Sequence, residues 1–199
     1  MKKKNRIVMF ALTFLIIALL QVLVSPTYSI CAEQKRKTSE AYPTTPEGVV
    51  EAFCNEDFIG TGAGIGDWAK IQQYTIWSDA PGWDESILVV TFNVTKIREN
   101  SNTAEVKVEY KIIGRLYSDE IGPIFEKAKT DEVIIYKLLK KGSQWKIKSP
   151  QLHPHVGVKT KIKLLKEVIM PQVKDPRKIK RLKQVLLDIE DELAKNKSN

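Results

Sequence analysis

Residues 103–116, TAEVKVEYKIIGRL, carry the pattern that decides the fold, because polar and apolar side chains alternate along them. Successive side chains of a β-strand point to opposite faces of its sheet, so this alternation predicts a strand with one buried and one solvated face. Residues 86–97 alternate in a similar way and precede the polar turn RENSN. The two segments together predict a long antiparallel hairpin.

A second hairpin is predicted further along the chain. Residues 131–140, DEVIIYKLLK, and residues 143–149, SQWKIKS, flank a turn at Lys141 and Gly142. Trp145 and Ile147 are two residues apart, so both side chains should face the same side of the sheet. The next segment, QLHPHVGV, is predicted as a short edge strand, because Pro154 has no N–H group for a central strand.

A helix is predicted before the strands. Thr45 can cap it and Pro46 suits its first turn, where a missing N–H group costs nothing. Thr44 and Glu47 offer a capping box in a shifted register as an alternative. Gly60 is placed to end the helix.

Two further helices are predicted after the strands. One covers residues 159–170 and stops before Pro171, and the other starts at about Pro176. The second has apolar residues spaced alternately by three and four, which predicts one apolar face that docks on the domain itself. Those apolar residues are Ile179, Leu182, Leu186, Ile189 and Leu193.

The N-terminus has the order of features typical of a secretory signal. A positively charged start is followed by an apolar run over residues 7–24, and cleavage is predicted after Ala32. A helix of that length would be about 27 Å long, close to the hydrocarbon thickness of a bilayer, so retention as a membrane anchor is the alternative. The charged residues of the start are Lys2, Lys3, Lys4 and Arg6.

Residues 33–43 are predicted to form a polar linker. We expect an exported protein in the periplasm or at the cell surface.

Positive charge is concentrated after the predicted strands. Residues 159–183 contain ten Lys and Arg residues against Glu167 and Asp175. Such a segment predicts an anionic partner, either a phospholipid surface or an acidic protein. An exported protein rarely meets nucleic acid, so that partner is disfavoured. A second copy of the chain, forming a homodimer, is a further candidate. The predicted patch comprises Lys159, Lys161, Lys163, Lys178, Lys180 and Arg181.

The glycine-rich run at residues 57–68, DFIGTGAGIGDW, does not predict a nucleotide site. Neither register of its glycines matches the dinucleotide fingerprint, and the Gly-Lys-Ser/Thr of a phosphate loop is absent. It is interpreted as a loop after a helix. With only Cys31 and Cys54 in the chain, a disulfide framework is excluded as well. We therefore predict no cofactor.

Two groups of side chains are candidate sites. An aromatic cluster could be core or could form the wall of a ligand pocket, with Asp57 and Asp84 as polar groups beside it. His153 and His155 flank Pro154 and could face one metal ion, but no third ligand lies at a suitable spacing. Exposed edge histidines are the favoured interpretation. The aromatic residues are Trp68, Tyr74, Trp77 and Trp83.

The element order and two motifs, YTIWSDAPGWD at residues 74–84 and GSQWKIKSPQLHPHV at residues 142–156, resemble the nuclear transport factor 2-like superfamily. This group includes SnoaL-like and ketosteroid isomerase-like proteins. The likeness covers about residues 45–158. It implies an α+β fold in which N-terminal helices pack in a strongly curved antiparallel sheet, like a cone around a pocket. Residues 44–158 would form that domain, and residues 159–199 a basic helical extension.

Three functions are compatible with this sequence. The first is a non-enzymatic exported domain that binds a partner or a small apolar ligand in the conical pocket. The second, implied by the resemblance, is an isomerase- or cyclase-like enzyme with Asp84 or Asp57 as base, although no catalytic motif can be carried over. The third is a membrane-surface or assembly protein that acts through the basic segment. The superfold hosts many activities, so the fold alone does not choose among them.

Overall fold

The computed structural model describes residues 41–63, 66–79 and 82–196. The predicted signal and nearly all of the predicted linker lie outside these residues. The chain divides into the units Met1–Ala41 and Tyr42–Asn199, and the second unit is described below. In that part of the chain, no helix is both long and apolar enough to cross a membrane.

Six strands form one strongly curled mixed sheet, a half-barrel. The order across the sheet is β5-β4-β2-β1-β6, and β3 pairs with the second half of β2. The prediction of a purely antiparallel sheet is wrong at one edge, because β6 pairs parallel with β1. The strands are β1 (Glu85–Glu99), β2 (Thr103–Asp119), β3 (Gly122–Lys127), β4 (Glu132–Lys141), β5 (Gln144–Ser149) and β6 (His155–Gly157).

Both predicted hairpins are confirmed. Strand β1 pairs antiparallel with β2 from Glu85 opposite Tyr117 to Glu99 opposite Ala104, and β4 pairs antiparallel with β5. Strand β6 is the predicted edge strand. Strand β3 was not predicted, because a short segment that begins with Gly122 and Pro123 resembles a turn rather than a strand.

Helix α1 (Pro46–Phe58) lies inside the curl of the sheet. Thr45 caps it by accepting a hydrogen bond from the Gly48 N–H, as predicted, and Gly60 follows its end with φ of 95°. The helix contacts β5 and β6, which lie at opposite ends of the strand order. Only a helix on the concave side of a curled sheet can contact both edges. Its buried side chains and those of the strands form one core, which includes Val49, Val50, Phe53, Val106, Tyr136, Trp145 and Ile147.

A pair of β-bulges changes which face of the sheet the side chains cover. Val90 is the extra residue in β1, and Ile113 is the extra residue in β2. A single inserted residue reverses the alternation, since side chains of a strand repeat every two residues. Ile87 and Val89 before the bulge in β1 and Phe92 and Val94 after it therefore all lie against the core around α1, whereas Leu88 and Ile113 belong to a second core.

The second core lies under the C-terminal helices. Helix α3 (Val158–Leu164) continues into a π-helical turn at Leu165–Ile169 and a 3₁₀ turn at Met170–Gln172, before helix α4 (Pro176–Lys195). Helix α4 buries Leu182, Leu186 and Ile189 of the predicted apolar face against this core. The C-terminal helices thus cover the part of the outer face that β1, β2 and β3 form. Between α1 and β1, the described residues form a 3₁₀ turn at Thr61–Ala63 and the short helix α2 (Ala69–Gln72).

Candidate ligand-binding cleft

A cleft of about 530 Å³ opens between the start of β1, the middle of β2 and the segment that leads from β3 into β4. Small-molecule sites commonly have volumes of about 300–1,000 Å³, so the cleft is large enough for one. Its lining is mostly polar and carries charges of both signs. The charged residues are Glu85, Arg115, Glu126, Lys127, Lys129, Asp131 and Glu132, and the two histidines His153 and His155 join them.

A buried histidine and a half-buried carboxylate meet at this cleft. The His155 side chain is 2 % exposed, and its Nε2 lies 3.1 Å from Glu132 Oε2. Its Nδ1 lies 2.9 Å from the carbonyl oxygen of His153, so Nδ1 donates a hydrogen bond there. Both ring nitrogens of His155 therefore face oxygen atoms. The hydrogen bond from His155 holds the pKa of Glu132 below its usual value.

Asp57 supports this histidine from the backbone side. Its Oδ2 accepts a hydrogen bond of 2.7 Å from the His155 N–H, and the carboxyl group is buried. Burial raises the pKa of Asp57 to about 6, although the hydrogen bond and the charge of His155 act in the opposite direction. A Cβ atom at Gly62 would overlap Asp57 Oδ1, so the chain needs glycine at that position.

A buried cysteine and two tyrosines lie behind the histidine. The Tyr110 ring is 4.3 Å from the His155 ring, centre to centre, and the Tyr110 hydroxyl lies 3.0 Å from Cys54 Sγ. Burial raises the pKa of Cys54 to about 12, so the thiol stays protonated. Burial also raises the pKa of Tyr110 and of Tyr136. Tyr110 therefore packs against the histidine as a neutral ring, and its hydroxyl group is in turn hydrogen-bonded with the Cys54 thiol.

The aromatic residues singled out in the sequence are only partly brought together. Trp68, Trp77 and Trp83 line a cavity of about 20 Å³ with Asp57, and that volume is room for about one water molecule. Tyr74 lies away from it, with its ring 5.8 Å from the Tyr42 ring. The concave side of the sheet is filled by the core around α1, and the large cleft lies at the border of this core, where Ile87 and Ile112 line it.

The other predicted site residues lie close to the cleft but do not form one site. Asp84 is exposed and lines a neighbouring groove of about 480 Å³ that shares Glu85 and Arg115 with the cleft. His153 lines both and packs its ring edge-on against Trp83. The expectation of an exposed histidine is wrong for His155, because Tyr110 and Asp57 cover it. Among the described residues, no group of three or more His, Cys, Asp or Glu could hold a metal ion.

The predicted basic patch is divided by the structure. Lys159, Lys178 and Lys180 are exposed and have no ion-pair partner among the residues described. Lys163 pairs with Glu167 and Arg181 with Asp119, each at 3.9 Å. Lys161 is largely buried instead, and its Nζ donates a hydrogen bond to the Ser86 hydroxyl. These six cations do not form one uniform surface.

Sequence reasoning missed the residues that define the cleft. Glu132 begins β4 and Arg115 lies in the second half of β2, so each looked like an ordinary solvated strand residue. The one available signal was His155 itself, because a histidine in an edge strand was already a candidate ligand. Its partner Glu132 could not be predicted, because 22 residues lie between Glu132 and His155 in the chain.

The comparisons with known proteins give no family for this chain: no protein-family model, no curated protein and no solved structure matches it. Membership of the nuclear transport factor 2-like superfamily therefore stays a prediction.

Proposed function

We propose that this chain is an exported, non-enzymatic domain that binds a small polar ligand in the cleft beside His155 and Glu132. The observation that carries the proposal is a buried histidine hydrogen-bonded to a half-buried carboxylate at the wall of an opening large enough for a ligand. Ionisable groups are seldom removed from water without a structural or functional reason. Export is supported by the charged and apolar order of the N-terminal residues alone.

The polar lining favours a polar ligand over the small apolar one expected from the sequence. Glu132 is ionised and half-exposed, so it can accept a hydrogen bond from an ammonium or hydroxyl group of a ligand. Lys129 lines the same cleft, is exposed, and has no ion-pair partner among the described residues. A ligand with a donor at one end and an acceptor at the other would use both groups.

We further propose that the fold is a divergent member of the nuclear transport factor 2-like superfamily. Support comes from α1 on the concave side of a curled sheet and from the order of the two hairpins. The parallel strand β6 and the filled concave side depart from the implied open cone. An isomerase-like role would use Asp57, whose pKa near 6 suits a general base. The cavity that Asp57 lines has room for only about one water molecule, so binding is the better-supported function.

The ligand-binding proposal predicts that wild-type protein from its own host retains a small molecule in native mass spectrometry. Glu132→Gln removes the charge at the His155 contact without changing the side-chain shape, and we expect that variant to lose the retained species. Glu120→Gln is the matched control, since Glu120 is exposed and does not line the cleft. A wild type that carries no small molecule, or equal retention by the two variants, would contradict the proposal.

A second candidate function uses the basic N-terminal half of α4. This half contains five Lys and Arg residues, whereas Asp188, Glu190, Asp191 and Glu192 lie in the second half. The helix dipole favours the opposite arrangement, because its N-terminus is itself positive. A charge distribution that opposes the dipole supports a role in binding an anionic phospholipid surface.

This candidate predicts salt-sensitive binding to vesicles of phosphatidylcholine with phosphatidylglycerol, and none to phosphatidylcholine alone. Each lysine near such a surface contributes about 1 kcal/mol, so replacing three by glutamine should weaken binding up to about a hundredfold. Co-sedimentation with vesicles measures the effect. The replaced residues are Lys178, Lys180 and Lys183. The control variant has three exposed lysines of β4 and β5 replaced by glutamine, and it should bind like the wild type. These lysines are Lys137, Lys141 and Lys148. Equal loss of vesicle binding in both variants would show that binding depends only on the net charge of the protein, which would contradict this candidate function.

A further inference from the structure

Lys161, in helix α3, differs from the other cations of the basic segment because its side chain turns inward. Its Nζ donates a hydrogen bond of 3.1 Å to the hydroxyl of Ser86, which is itself buried. No carboxylate of the described residues lies within ion-pair distance of this ammonium group. Burial lowers the pKa of Lys161, as expected for a cation that has lost water without gaining a counter-ion.

The Lys161 side chain lines a cavity of about 170 Å³ between β1, β2 and the C-terminal helices. At about 30 Å³ for each non-hydrogen atom, the volume that water occupies in the liquid, the cavity accommodates roughly five or six such atoms. Of the residues that line the large cleft, only Glu85 also lines this cavity. It is therefore distinct from the large cleft, although it adjoins the neighbouring groove of about 480 Å³, which also contains Trp83, Asp84, Glu85, Tyr117 and Ser118 in its lining. Its apolar wall is formed by Leu116, Pro123, Pro154, Leu165 and Ile169.

Two acidic residues also line the cavity, but neither neutralises Lys161. Glu85 pairs with Arg115 at 3.4 Å, and Asp84 is exposed to solvent. An ammonium group has three hydrogen-bond donors, and the described residues use one of them, toward Ser86. Two donors thus remain for an acceptor that enters the cavity.

We propose that this cavity binds the carboxylate of a small aliphatic acid, with Lys161 as its counter-ion and the apolar wall against its hydrocarbon chain. A carboxylate supplies the two acceptor atoms and the negative charge that the buried ammonium lacks. The apolar wall favours a short hydrocarbon chain over a second charged group. An acid of about four carbon atoms fills the cavity volume. This proposal is independent of the ligand in the large cleft.

The test uses butyrate as the probe and butyramide, its neutral analogue of nearly the same shape, as the comparison ligand. Chemical shifts of backbone amides in the full chain are followed during titration. For a ligand of six non-hydrogen atoms, we expect a dissociation constant on the order of 1 mM. Butyrate should shift the amide signals of Ser86, Leu165 and Ile169 to saturation, and butyramide should bind about tenfold more weakly or worse.

Two variants test whether Lys161 supplies the positive charge that binds butyrate. Lys161→Met keeps the length of the side chain without its charge, and we expect it to weaken butyrate binding about tenfold or more. Lys163→Met removes an exposed lysine of the same helix and should leave butyrate binding unchanged. Absence of saturable shifts near Ser86, equal affinity for butyrate and butyramide, or equal butyrate binding by Lys161→Met and the wild type would each overturn the proposal. The comparison of the two ligands needs only the wild type, so it decides the question even if Lys161→Met does not fold.

Discussion

Replacing Trp145 with alanine is expected to lower the free energy of unfolding by about 3–5 kcal/mol, because it leaves a large cavity in the main core. The Trp145 side chain is 2 % exposed and lies on β5 among the core residues that α1 covers. Its backbone carbonyl also accepts a hydrogen bond from the Tyr42 hydroxyl. Denaturant unfolding followed by circular dichroism measures the loss.

Ile135→Ala is the matched control for this substitution. Ile135 lies on the neighbouring strand β4, but its side chain is 47 % exposed on the outer face of the sheet. We expect a change within about 0.5 kcal/mol, which is typical of surface positions. Similar losses for Trp145→Ala and Ile135→Ala would show that the two faces of the sheet are not buried as described.

The second large effect concerns Asp57 and pH. The pKa of this carboxyl group is raised to about 6 in the folded protein from 3.8, so the folded state binds the proton more tightly than the unfolded state. Stability is therefore greatest below the unfolded pKa, falls as the pH rises from about 4 to about 6, and is constant above that window. The two pKa values correspond to a loss on the order of 3 kcal/mol.

Asp57→Asn should remove this pH dependence. The amide oxygen of asparagine can still accept the hydrogen bond from the His155 N–H, and asparagine carries no charge to bury. We expect the variant to match the wild type near pH 4 and to exceed it at pH 7 by up to about 3 kcal/mol. Urea unfolding at both pH values gives the difference.

Glu51→Gln controls for the general effect of removing an acidic residue from the same helix. Glu51 is exposed, so its replacement should leave the difference in stability between pH 4 and pH 7 as in the wild type. If Asp57→Asn instead destabilised the protein equally at both pH values, the carboxylate would contribute its hydrogen bond rather than a cost of burial. A buried, raised pKa would then be excluded.

The amino-acid sequence by itself determined the individual helices and strands. The alternation in residues 103–112 placed Ala104, Val106, Val108 and Tyr110 in the core, as predicted. The caps were predictable for the same reason, since a cap depends on residues next to the helix end. Thr45 caps α1, and the apolar face of α4 docks on the domain itself. The caps and the apolar faces of the helices and strands depend on neighbours within a few residues.

The relation between distant segments was decided only by the tertiary structure. The bulges at Val90 and Ile113 reverse the faces of two strands, but the alternation looked continuous across them. The parallel pairing of β6 with β1 and the contact of His155 with Glu132 likewise join segments far apart in the chain. Lys161 was counted with the exposed cations, because a lysine in a basic helix looks the same whether its side chain points out or in.

The physical reason is the range of the interactions concerned. Hydrophobic periodicity and capping are set by the local geometry of a helix or a strand, which residues nearby in sequence control. Strand register at a bulge, the burial of a charge and the volume of a cavity depend on which surfaces meet after the chain has folded. The core was therefore largely predictable from its periodic segments, whereas the cleft and the Lys161 cavity exist only where distant residues come together.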